Sequence, residues 1–154
     1  MTTEIINAAP DCIIACSRII NAPVDLVFKA WTDPDHHKNW WGPAGFTNTF
    51  NVYDLRPGGK WSFIMHGPDK KDYPNECVFI KIERPNLIAW NHLSKPEFQL
   101  VATFDEVATG KTKVGFKMIF DTPEACNKIK AFVGGKNEEN LDKLEVELIR
   151  MSAG

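Results

Sequence analysis

The feature that most constrains this chain is a hydrophobic period that changes twice. Between Phe46 and Asp121 apolar residues alternate with polar ones, the repeat of strands with one face on a core. Before that run, in "NAPVDLVFKAW", Val24, Val27, Phe28 and Trp31 recur at helical spacing, and from Thr122 the helical period returns. An antiparallel run of this length cannot bury its apolar face unaided. It must curl around the helix that follows, which predicts an α+β domain of two layers.

The elements follow from local signals. "CIIACSRII" is β-branched and reads as a first strand, on which Cys12 and Cys16 would share a face. Two short helices come next. Pro23 suits the first turn of one; Thr32 or Asp33 caps the other, Pro34 opens it, and Gly42–Pro43 stops it. Six further strands are expected in "FTNTFNVYDL", "KWSFIMHG", "ECVFIKIERPN", "LIAWNHL", "EFQLVATFDEV" and "TKVGFKMIFD", separated by turns such as "RPGG". In the third of these, Val78, Ile80 and Ile82 supply an apolar alternation that Phe79 opposes. Thr122 caps the last helix, Pro123 opens it, and Gly134–Gly135 interrupt it before the stripe resumes at Leu141, Leu144 and Leu148. Glu139 and Lys143 are spaced as an i,i+4 pair on that helix.

At 154 residues the chain fits one domain, 1–154, large enough to hold a core without disulfide or metal. The net charge of −2 and the absence of a basic block argue against nucleic acid. No apolar run approaches a membrane span, and the N-terminus lacks a basic leader, so a cytoplasmic protein is expected. Cys12, Cys16, Cys77 and Cys126 show no zinc spacing and read as free thiols.

"HHKNWWGPAGF" is the densest chemistry on the chain. Consecutive helical residues diverge by about 100°, so His36 and His37 do not converge on one metal, and they read as surface or helix-end histidines. Trp40 and Trp41 meet the same limit: one enters the core or a cavity mouth while the other covers a different surface. With Phe46 beside Gly42–Gly45 they suit either core packing or a gate over a pocket. "TGKT" at Thr109–Thr112 lacks the first glycine of a phosphate loop, since Asp105 stands there, and reads as a hairpin turn. Asp54 and Arg56 suit a structural ion pair or a polar anchor for a ligand.

The inward-facing set is Trp61, Phe63, Met65, Phe79, Trp90, Phe104, Phe116 and Met118 from the strands, with Phe132, Leu141 and Leu144 from the last helix. Such residues fill a core or line an apolar pocket equally well. His66 and His92, on separate strands, are with Asp54 and Arg56 the polar candidates near such a pocket. No GxSxG, Cys–His signature or paired-carboxylate motif occurs, so no catalytic residue, metal or cofactor is assigned.

Together, "APVDLVFKAWTDPDHHKNWWGPAGF", "DLRPGGKWSFIMHGPDKKDYPNECVFIKIERPNLIAW" and "NLDKLEVEL" resemble the activator of heat-shock protein 90 ATPase homologue-like family. That family lies in the START/Bet v 1-like (SRPBCC) superfamily. The resemblance implies a helix-grip fold, a curved antiparallel sheet of six to seven strands around a long C-terminal helix. It also implies a cavity between them for a small hydrophobic molecule, with chaperone contact, or cyclase or hydrolase activity, as the alternatives. Homodimers are common among the relatives, although no feature of this sequence marks an interface. Asn137 stands where relatives often carry a tryptophan before the last helix.

Overall fold

The computed structural model describes residues 3–153. A single turn of 3₁₀ helix, Pro10–Cys12, leads into β1 (Ile13–Ile20), α1 (Val24–Thr32) and α2 (Pro34–Trp40). Strands β2 (Thr47–Tyr53), β3 (Lys60–His66), β4 (Asp72–Glu83), β5 (Leu87–His92), β6 (Phe98–Ala108) and β7 (Lys111–Ile119) follow. The chain then forms α3 (Pro123–Val133) and α4 (Lys136–Ala153). The seven strands make one antiparallel sheet in the order β1-β7-β6-β5-β4-β3-β2, so the first strand closes on the last and only β1 and β2 are edges. The helices pack on its inner face, which is the helix-grip arrangement expected.

The local signals act as read. Asp33 caps α2 by accepting from the Asp35 amide, and Thr122 caps α3 by accepting from the Ala125 amide. The expected long helix is divided: α3 ends at Gly134, whose φ is 43°, and α4 restarts at Lys136. The "RPGG" turn needs glycine at its last position, because a Cβ on Gly59 would sit 1.9 Å from the Asp54 carbonyl oxygen. "TGKT" lies at the β6–β7 turn, with Gly110 at a φ of 72°.

Two β-bulges revise the strand faces. In β2 the register shifts between Phe50 and Val52, so Phe50 and Tyr53 both pack on the core while Val52 is exposed. In β4 the shift lies between Phe79 and Lys81: Cys77, Phe79 and Ile82 face the main core, and Ile80 faces outward. The apolar alternation of Val78, Ile80 and Ile82, which Phe79 opposes, therefore does not hold across that strand. Cys12 lies in the turn before β1, so it does not share a strand face with Cys16. All four cysteines are free thiols.

Arg18 on β1 fastens α4 by ion pairs to Glu138, Asp142 and Glu145 at 2.7–2.8 Å, three acids on one face of the helix. The outer face of the sheet carries a second small core. Ala89, Val101 and Ile119 are covered there by Ile5, Ile6 and Ala8 of the N-terminal segment. Gln99, fully buried, binds that strap: its Oε1 accepts from the Ile6 amide at 2.8 Å and its Nε2 donates to the Glu4 carbonyl at 2.9 Å.

Candidate functional site

Between the inner face and the helices lies a continuous cluster of rings. Trp31 from α1, His37 and Trp40 from α2, Trp41 just beyond it, Trp61 from β3 and Trp90 from β5 join through centroid separations of 4.8–6.3 Å. Phe63, Phe79, Phe104 and Phe116 extend it along the strands. Alternation on β3, β5, β6 and β7 aims these side chains inward, and helical spacing in α1 adds Trp31. Apart from Trp41, every residue in the cluster is buried.

Trp40 and Trp41 part company at the end of α2. Trp40 is sealed, its indole Nε1 donating to the Ala30 carbonyl at 2.9 Å. Trp41 takes an extended backbone, with φ −66° and ψ 136°, and stays half-buried. Its ring lies 5.7 Å from Trp31, 5.5 Å from Trp40, 5.2 Å from His37, 6.1 Å from Trp61 and 5.4 Å from Trp90. Because the helix ends between the two residues, the 100° divergence expected of them does not apply, and both rings join one cluster.

The loop that carries Trp41 hangs from α4. Asn140 brackets it, donating to the Trp40 carbonyl at 2.9 Å and accepting from the Gly42 amide at 3.2 Å. Glu139 accepts from the Ala44 amide, and Lys143 donates to the carbonyls of Pro43 and Phe46. The expected Glu139–Lys143 pair is thus replaced by three bonds to the loop, whose backbone runs beside that face of the helix. Gly42 has a φ of 96°, and a Cβ there would lie 2.5 Å from the Met65 methyl. A larger residue is therefore disfavoured twice over. Phe46, at the end of the loop, lies 6.0 Å from Tyr73.

The two histidines separate fully. His36 lies against α4, its Nδ1 2.9 Å from the buried Glu147 carboxylate, which also accepts from Asn39 and Arg150. His37 is completely buried, which corrects its placement at a surface or helix end. Loss of hydration lowers its pKa to about 3, so its imidazole is neutral. Its Nδ1 lies 3.0 Å from the Tyr53 hydroxyl, which itself donates to the Trp31 carbonyl at 3.1 Å. Burial raises the Tyr53 pKa, so that hydroxyl keeps its proton. Trp31 Nε1, His37 Nε2 and Trp61 Nε1 are buried without a hydrogen-bond partner among the described residues.

Several expected site residues sit elsewhere. Phe132, expected inward, is 76% exposed on α3. Asp54 and Arg56 pair with each other near the surface, Arg56 Nε donating to both carboxylate oxygens at 2.8 and 3.0 Å, and do not reach the ring cluster. His66 is at the exposed end of β3 between Asp72 and Thr49. His92 is buried but apart, stacked 4.6 Å from Phe98 and bonded to Asn75 and the Pro96 carbonyl. Met65 is half-buried beneath Gly42, and Met118, Leu141 and Leu144 belong to the same core as the rings. Trp31, His37 and Tyr53 are the central residues that sequence reasoning missed. Trp31 had its helical spacing as a signal; Tyr53 had none, because the bulge reverses its face.

The clefts on the surface touch the ring cluster only at its margins, through Phe116, Phe79 and Phe50. One of about 490 Å³ runs over the outer face, beside Ile6, Ala15, Ser17, Thr103 and Lys113. Another of about 480 Å³ lies between α2 and β2, beside Lys38, Asn39 and Thr49. No group of three or more His, Cys, Asp or Glu suited to a metal occurs among the described residues, and no helix among them is long and apolar enough to cross a membrane.

Comparison with known proteins agrees with this architecture. No curated protein matches the chain. A protein from Nitrosomonas europaea superposes with a TM-score of 0.87 at 21% identity, over 96% of this chain and 100% of that one. One from Arthrobacter aurescens gives 0.83 at 20%, over 97% and 93%. The AHSA1 protein of Silicibacter pomeroyi gives 0.71 at 15%, over 90% and 99%. At these identities the likeness is one of fold. The sequence itself goes further: residues 21–148 match the profile of the activator of Hsp90 ATPase homolog 1-like proteins, and the chain belongs to that family.

Proposed function

We propose that this domain binds a small hydrophobic molecule between sheet and helices, at the position Trp41 now fills, and performs no chemistry on it. The observation that carries the reading is Trp41 itself. It is a half-buried indole with five aromatic neighbours, on a loop held to α4 by side-chain hydrogen bonds. Swinging that one ring outward leaves a slot of indole size, walled by Trp31, His37, Trp61 and Trp90. Flat apolar walls with few polar groups are the usual make-up of a small-molecule site. The ring cluster offers no nucleophile paired with a base, which favours binding over turnover.

Displacement of N-phenyl-1-naphthylamine and ligand-induced thermal shift, run with wild-type protein and W41A against a panel of aromatic and polyketide-like molecules, test this. Saturable binding that tightens in W41A is expected. A folded W41A that binds nothing on the panel refutes the reading. Family membership supports a second reading, contact with the heat-shock chaperone. Stimulation of chaperone ATPase activity by the purified domain is the measurement that would favour it.

A further inference from the structure

The ring cluster holds three buried nitrogens that the fold leaves unused, and their hydrogen-bonding roles can be assigned. The Tyr53 hydroxyl gives its proton to the Trp31 carbonyl, so toward His37 it acts as acceptor. His37 Nδ1 therefore carries the ring hydrogen, and Nε2 is a bare acceptor. Trp31 Nε1 and Trp61 Nε1 are indole N–H groups and can only donate. The His37 ring abuts both indoles, at 6.0 Å from Trp31 and 4.8 Å from Trp61. The ring of Trp41 adjoins all three, at 5.7, 5.2 and 6.1 Å. Whatever replaces Trp41 packs beside rings that carry one unused acceptor and two unused donors.

Few chemical groups satisfy that set. A carbonyl or ether accepts from the indoles but sets a lone pair against Nε2. An amide N–H serves Nε2 and leaves the indoles unanswered. A carboxylate would be buried against a neutral imidazole. A hydroxyl has one proton and two lone pairs, the complement of one acceptor and two donors. Buried polar groups without partners are costly, so three of them on rings that adjoin one replaceable ring mark a place where a ligand gains by supplying them.

We infer that the ligand of this pocket is a hydroxylated aromatic, a phenol or naphthol in chemical class, whose O–H donates to His37 Nε2 and accepts from Trp31 Nε1 and Trp61 Nε1. The inference rests on the pocket proposed above and adds its polar specificity. The neutral state of His37 keeps Nε2 available across the physiological range.

The test compares 2-naphthol with naphthalene, matched in shape and differing by the hydroxyl, in competition against N-phenyl-1-naphthylamine bound to W41A. The naphthol is expected to bind at least tenfold more tightly, the worth of about one net hydrogen bond. In W41A/H37F, naphthalene binding persists and the preference falls to within twofold; W41A/W61F loses part of it and serves if the histidine variant does not fold. The indole Nε1–H resonances of Trp31 and Trp61 move downfield with naphthol and not with naphthalene. Equal affinity for the two compounds in W41A overturns the hydroxyl inference and leaves the pocket standing, as does a preference that survives both H37F and W61F. Binding of neither compound to folded W41A overturns both.

Discussion

Trp40 gives its indole N–H to the Ala30 carbonyl, while Trp41, one residue later, leans on five rings with part of its surface in water. His36 and His37 divide in the same way, one on a carboxylate at the helix interface and one sealed among rings. Burial has a measurable consequence for His37. Its pKa is about 3 in the folded protein against 6.5 when hydrated, so between those values the unfolded chain holds a proton that the native state lacks. Its contribution is therefore complete above pH 6.5 and declines as pH falls, by about 1.4 kcal/mol per unit. Burial lowers the His92 pKa too, so part of the acid sensitivity remains when His37 is removed. Between pH 6.5 and 5, wild type should lose about 1–2 kcal/mol more stability than H37F in urea unfolding. Parallel profiles would show that His37 is protonated or hydrated in the native state. The spacing of the histidines was enough to reject a metal pair. It held no information on which ring would be buried, because that depends on where α2 meets β2 and β3.

At the scale of elements, α4 works as a rail for the Trp41 loop. Asn140 is the critical tie, since its amide serves the carbonyl before Trp41 and the amide after it. N140A removes both bonds and leaves a buried carbonyl and amide unpaired, a cost of about 1–3 kcal/mol. The Gly42 amide should also exchange hydrogen faster than its neighbours on β2. Unchanged exchange at Gly42 would mean that Glu139 and Lys143 hold the loop without it. Helix starts and stops were readable here because caps and prolines act locally: Asp33, Pro34, Thr122 and Pro123 do what their chemistry requires. The bulges at Phe50–Val52 and Phe79–Lys81 were not, because an extra residue in one strand is set by the partner it must pair with. The partners of Glu139 and Lys143 were misread for a similar reason. Helical spacing brings those side chains near each other, but the loop offers them unpaired backbone groups.

For the whole molecule, the period change carries the architecture: strands with one apolar face, then a helix to cover it. What the alternation leaves out is the outer layer. The strap of Ile5, Ile6 and Ala8 covers Ala89, Val101 and Ile119 and answers the buried amide of Gln99. A chain beginning at Ala9 should lose at least about 2 kcal/mol, from exposed apolar area and a Gln99 Oε1 left without its partner, and melt at a lower temperature. An unaltered melting temperature would show that the strap adds nothing to the native state. The proposed pocket, by contrast, was only half legible. Trp61 and Trp90 were predicted from strand alternation and Trp31 and His37 were not; the cluster is packed with its own rings, and in the proposal the difference between a filled core and a gated one rests on a single side chain.

All five tryptophans of the chain belong to that one cluster, each within 4.8–6.3 Å of another. At such separations indoles do not absorb and emit as independent chromophores. Their transitions couple, giving a strong near-ultraviolet circular dichroism signal, and excitation migrates between them toward the one in the most polar surroundings, which is Trp41. The protein's intrinsic emission is therefore dominated by Trp41, so an event that moves this one ring is visible in the optical spectrum of the unlabelled molecule.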